Sequence, residues 1–175
     1  MNLGHSPLEG LEQSDVGGQA RRYLIIANKT LVSPGLEQLV HECVAMHPCE
    51  FHVLVPQAPT PTINAVDPMG LISLRLHETT NDYYADARHE AEERLDHFHE
   101  TFARQGVLIT GEVGCSDPLA AARNVVERLL FDEIIVSTLP PGVSRWLKMD
   151  LVNRVQRAFE LRVTSLVQQD ALVGA

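Results

Sequence analysis

"FDEIIVSTLPPGVSRWLKMDLVNRVQRAFELRVTSLV", residues Phe131 to Val167, decides the fold. It holds two short apolar runs, "DEIIVST" and "LRVTSLV", separated by a loop with two prolines and a glycine and by the helical pattern "DLVNRVQRAFE" with Asp150 as its cap. Two strands joined through a helix need a crossover, and a crossover makes neighbouring strands parallel. Parallel strands are covered on both faces and so read as continuous apolar runs. The stretch therefore predicts an α/β protein.

Working outward, the same alternation repeats. "RRYLIIAN" gives a first strand and "FHVLVP" a second. Between them "SPGLEQLVHECVAMH" places Leu36, Leu39, Val40, Cys43, Val44 and His47 at helical spacing, with Ser33 as cap and Pro34 in the first turn. Residues from Gln57 to Thr80 carry three prolines and no period, and predict a long loop that is functional or mobile. A helix is predicted from Asp82 to Arg104, with Ala91, Leu95, Phe98 and Phe102 on its apolar stripe and an acidic, His-rich opposite face. "VLITGEVG" is the third strand. In "SDPLAAARNVVERLLF" Asp117 and Pro118 mark a helix start, and Leu119, Ala122, Val126 and Leu129 form the predicted stripe. Five strands alternating with helices predict a three-layer open parallel sheet.

At 175 residues the chain fits one domain. Residues 1–20 read as a flexible tail, 21–170 as the domain and 171–175 as a second short tail. Apolar residues make up 45% of the chain but aromatics only 5%, as suits an aliphatic core between layers. The net charge of −9 repels nucleic-acid and lipid phosphates, so neither is an expected partner. No apolar run approaches the ~20 residues of a membrane span. The N-terminus lacks a basic segment followed by an apolar one, so no secretory signal is expected. Cys43, Cys49 and Cys115 form no CxxC pair and read as reduced thiols of a cytoplasmic protein.

In an open α/β sheet, ligands bind beyond the carboxyl ends of the strands where the strand order reverses. If the chain starts at the centre of the sheet, that point lies between the first and fourth strands. Its loops are Asn28, Lys29 and Thr30 on one side, and the segment starting at Ser137 and Thr138 on the other.

With "LIIANKT", "SDPLAAARNVVE" and above all the closing strand–loop–helix–strand unit, the sequence resembles the universal stress protein family from about Tyr23 to Gln168. Within it "STLPPGVSRWLKMDL" is similar to the form seen in actinobacterial members. The resemblance implies a flavodoxin-like, adenine nucleotide alpha hydrolase-like sheet with strand order 3-2-1-4-5. It also implies a stress-response role and a homodimer formed through the last strand, Arg162 to Val167, whose exposed edge can pair with a second copy.

Many members of that family hold ATP with a glycine pattern after strand four, in which bare backbone amides donate to phosphate. Aligned on the final helix, the pattern's first glycine falls near Leu139-Pro140, the second on Gly142, and its closing glycine and hydroxyl on Asp150-Leu151. Only Gly142 matches. Pro140 and Pro141 lack N–H donors. Asp150 brings a carboxylate to the phosphates, and two like charges ~4 Å apart repel by about 4 kcal/mol at an effective dielectric of 20. Strand one ends in Asn28, where nucleotide-binding members usually carry an aspartate. The family's usual ATP binding is therefore not expected.

Two readings of the loop stand side by side. In one it is structural, with Trp146 packed and Arg145 and Lys148 solvated. In the other, Arg145 and Lys148 share a helical face and, with Ser137, Thr138, Gly142 and Ser144, hold ATP or another anion through side chains, with slow hydrolysis or a nucleotide switch as the outcome. His89, Glu93 and His97 lie four apart with His99 near, a spacing that can ligate a metal, but on a solvent-facing acidic helix no metal site is expected. No nucleophile motif, P-loop or dinucleotide fingerprint occurs, so a regulatory or binding module is expected and not an enzyme. A ligand covered by Gln57–Thr80 as a lid is the third possibility.

Overall fold

The computed structural model describes residues 19–58, 71–140 and 150–168, with side chains of its long helix from Asp82 onward. The elements run β1 (Arg21–Ile26), α1 (Pro34–Met46), β2 (Cys49–Pro56), α2 (Leu71–Ala103), β3 (Ile109–Gly114), α3 (Pro118–Val126), β4 (Glu133–Thr138), α4 (Leu151–Ala158) and β5 (Arg162–Val167). All four strand pairings are parallel and the order is β3-β2-β1-β4-β5, as expected.

Side chains alternate across a strand, and here each face has its own core. Tyr23, Ile25 and Ala27 of the β1 segment, Phe51, Val53 and Val55 of β2, and Ile135 of β4 pack with α1 and with Ala91, Leu95, Phe98 and Phe102 of α2. Leu24, Ile26, Leu54, Ile134 and Val136 face the other way, onto Ala121, Ala122 and Val125 of α3 and Leu151 and Val155 of α4. Burial on both faces explains why these three central strands read as unbroken apolar runs. The glycines of "GEVG" lie inside β3 and answer to packing. A Cβ at Gly114 would stand 2.7 Å from the Ala121 Cβ, and one at Gly111 2.6 Å from Leu95 Cδ1.

Electrostatics pins the lower end of the sheet. Glu133 is buried in β4, where it accepts from Arg21 Nη2 at 3.0 Å and from Thr164 Oγ1 at 2.5 Å, joining β1, β4 and β5.

Five expectations need correction. The helix expected from Asp82 starts at Leu71, so the irregular segment loses its last ten residues to α2, while 59–70 lie outside the described residues. In α3 the buried positions are Pro118, Ala121, Ala122 and Val125, and Leu129 is exposed. The helix ends at Val126, so Leu129 never completes the stripe. In α1, Val44 is also exposed, because the buried stripe is Leu36, Val40 and Cys43. Asp117 caps α3 as expected, accepting from Leu119 N at 2.9 Å and Ala120 N at 3.3 Å. The other two predicted caps differ: Ser33 and Asp150 stand at N-cap positions without a side-chain capping bond. Ser33 Oγ instead donates to the Thr30 carbonyl at 2.6 Å.

Candidate site at the carboxyl ends of β1 and β4

The β1–β4 pairing brings the two predicted site segments together, since Ile26 is in register with Val136 and the chains then run on to Asn28–Thr30 and Ser137–Thr138. Thr30, Ser137 and Thr138 are almost wholly buried, while Lys29 is exposed. Gly142, Ser144, Arg145 and Lys148 lie outside the described residues, and so does Trp146.

Most of the polar groups at this end already have partners within the chain. Thr30 Oγ1 donates to the Ser137 carbonyl at 3.0 Å. Asn28 donates from Nδ2 to the Pro56 carbonyl at 2.5 Å, and its Oδ1 accepts from Arg94 Nη1 at 3.1 Å. Beyond β5, Gln168 donates its backbone N–H to the Thr138 carbonyl at 2.9 Å and its Nε2 to Ser137 Oγ at 3.4 Å. Its Oε1 lies 2.6 Å from where a Cβ on Gly35 would sit, so the amide reaches over the first turn of α1. Thr138 Oγ1 differs from these: it is buried without a hydrogen-bond partner among the described residues.

Arg94 and Gln168 were not among the residues expected here. Arg94 stood in a helix read for its apolar stripe and its acidic, His-rich face, and nothing local links it to Asn28, 66 residues away. Gln168 had a usable signal. It directly follows the strand beside β4, so topology alone carries it to the same end of the sheet.

Asp150 has φ 53° and ψ 38°, in the left-handed region, and is the one non-glycine residue with positive φ among the described residues. A backbone conformation of this kind is one that glycine adopts without strain. The carboxylate turns along α4, accepting from Asn153 Nδ2 at 2.5 Å and Arg157 Nη2 at 3.4 Å.

The candidate metal residues do not form a site. His89 and Glu93 are exposed, with His89 Nε2 3.3 Å from Glu93 Oε1, and no group of three or more potential ligands occurs among the described residues. No helix among them is long and apolar enough to cross a membrane.

Neither a protein-family model nor a curated protein matches the sequence. Solved structures do. A protein of the universal stress protein family from Burkholderia pseudomallei matches with TM-score 0.51 and 15% identity, over 86% of this chain and 98% of that one. A universal stress protein family protein from Arabidopsis thaliana with AMP bound matches with TM-score 0.54 and 12% identity, over 89% of this chain and 96% of that one. The sheet order, the helices on both of its faces and these two near-full-length matches show that the chain has the adenine nucleotide alpha hydrolase-like fold of universal stress protein family structures.

Proposed function

We propose that this chain is a cytoplasmic regulatory or binding protein of the universal stress type, acting without catalysis and without the ATP binding usual in that family. The observation that carries the proposal is the internal use of polar groups where β1 and β4 end. Thr30, Asn28 and Ser137 are bonded within the chain, and Arg94 and Gln168 supply two of the partners. A nucleotide would have to replace those bonds, and buried polar groups left unpaired cost about 1–3 kcal/mol each.

A second reading, a nucleotide-binding stress protein using Arg145 and Lys148, is favoured by two observations. Thr138 Oγ1 is buried with no hydrogen-bond partner among the described residues, and the Arabidopsis neighbour in fold holds AMP. Calorimetric titration with ATP and magnesium separates the two. No heat of binding up to about 1 mM ATP, a free energy of about −4 kcal/mol, is expected. Micromolar binding that is lost in Arg145→Ala would establish the second reading instead.

The protein is further proposed to be a homodimer through β5, which pairs with β4 on one side and forms an edge of the sheet. Sedimentation at micromolar concentration is expected to give a dimer, and a monomer alone would overturn this part of the proposal.

A further inference from the structure

At the opposite end of the sheet from Asn28 and Ser137, the starts of β1 and β2 and the approaches to β3 and β4 enclose a cavity of about 240 Å³. One wall is apolar. Leu108, Leu129 and Leu130 line it with Phe131, and they are 58%, 39% and 78% exposed. Large apolar side chains left open to water in a group mark a binding surface, whereas the same chains scattered singly would not.

The other wall is polar and carries both signs of charge. Arg22 Nε lies 3.3 Å from Glu50 Oε2, with the two side chains 47% and 41% exposed. Such an exposed pair is weak because water screens it, so a ligand can part it at small cost. Behind the pair His52 is nearly buried, its Nδ1 2.8 Å from Thr110 Oγ1.

The size and the charges together restrict the ligand. Pockets for drug-sized molecules run from about 300 Å³ upward, so this one suits a smaller metabolite. An anion would meet Arg22 but be repelled by Glu50, and a cation would meet the reverse. A molecule with a carboxylate and an ammonium on one carbon can lie across both. We propose that the cavity binds a free α-amino acid with an apolar side chain: its carboxylate on Arg22, its ammonium on Glu50 and its side chain against Leu108, Leu130 and Phe131.

The test is titration of the full chain with L-phenylalanine and L-leucine, followed by calorimetry and by backbone amide shifts. Two probes lacking one charge, 3-phenylpropanoate and 2-phenylethylamine, are run beside them. At least one amino acid should bind with Kd below about 1 mM. Each single-charge probe, and the binding amino acid with Arg22→Gln or Glu50→Gln, should be at least about tenfold weaker, equivalent to ~1.4 kcal/mol. Circular dichroism confirms that both variants are folded. Absence of binding by both amino acids overturns the proposal. So does equal binding of either single-charge probe, or binding unchanged in both variants. The ATP titration addresses the other end of the sheet, so the two proposals stand or fall separately.

Discussion

Thr30 holds the end of β1 to the end of β4: its Oγ1 donates to the Ser137 carbonyl at 3.0 Å, between residues that are 3% and 0% exposed. The bond joins positions 107 apart in sequence at the point where the strand order reverses. Thr30→Val keeps the shape and removes the donor, leaving a buried carbonyl short of a partner. The expected loss is about 1–3 kcal/mol, and Thr30→Ser should retain most of the stability. Urea denaturation of the three proteins checks this, and a Val variant as stable as the parent would show that the bond contributes nothing.

Asp150 offers the opposite expectation. A non-glycine residue in the left-handed region costs roughly 1 kcal/mol relative to glycine. Asp150→Gly relieves that cost and gives up contacts to Asn153 and Arg157 that are exposed and weak. The variant should be equally stable or up to about 1 kcal/mol more stable. A markedly lower unfolding midpoint would mean that the carboxylate anchors the start of α4.

His52 makes stability depend on pH. Burial pushes its pKa below the ordinary 6.5, and Arg128 and His99 push the same way, while the Glu112 carboxylate, 3.8 Å from Nε2, opposes them. The folded state thus binds this proton less readily than the unfolded chain. Its contribution is fully present above about pH 6.5 and is lost as pH falls below that value toward the lowered folded pKa. Denaturation midpoints at pH 7.5 and 5.5 should fall more steeply for the parent than for His52→Asn. Parallel slopes would remove His52 as the cause.

The three thiols should separate by reactivity. Cys115 is exposed. Burial raises the pKa of Cys43, and it raises that of Cys49 to about 11, which leaves roughly a thousandth of the Cys49 thiol ionised at pH 8. A thiol-reactive chromophore under native conditions should therefore label one cysteine quickly and two slowly. Mass spectrometry should place the fast label on Cys115. Three equal rates would show that α1 and the start of β2 open readily.

The final strand–loop–helix–strand unit was legible because its apolar runs, its loop and its helical spacing are all local. The Ala91, Leu95, Phe98 and Phe102 stripe was legible for the same reason, since a helix repeats its face every three to four residues. Leu71–Thr80 was not, because proline-rich and polar sequence ahead of it masked a helix whose sequence carries no clear stripe. The caps divided similarly. Asp117 caps as read, but Ser33 turned its hydroxyl to Thr30 and Asp150 took a glycine's backbone, since each had a competing partner or conformation that spacing does not reveal.

The sequence by itself determined the α/β class, because periodicity and crossover length constrain topology, while the strand order, and with it the meeting of Asn28–Thr30 with Ser137–Thr138, was legible only through the resemblance of its motifs to the universal stress protein family. Only the tertiary structure decided what that meeting place contains. Arg94 reaches it from a helix 66 residues away and Gln168 from beyond the edge strand, and the two occupy groups that otherwise looked available to a ligand. The cavity beside Arg22 and Glu50 is likewise a property of packing, since its walls come from segments that approach only when four strands lie side by side. Hydrogen bonds and cavities depend on distances between remote side chains, and no local pattern encodes those.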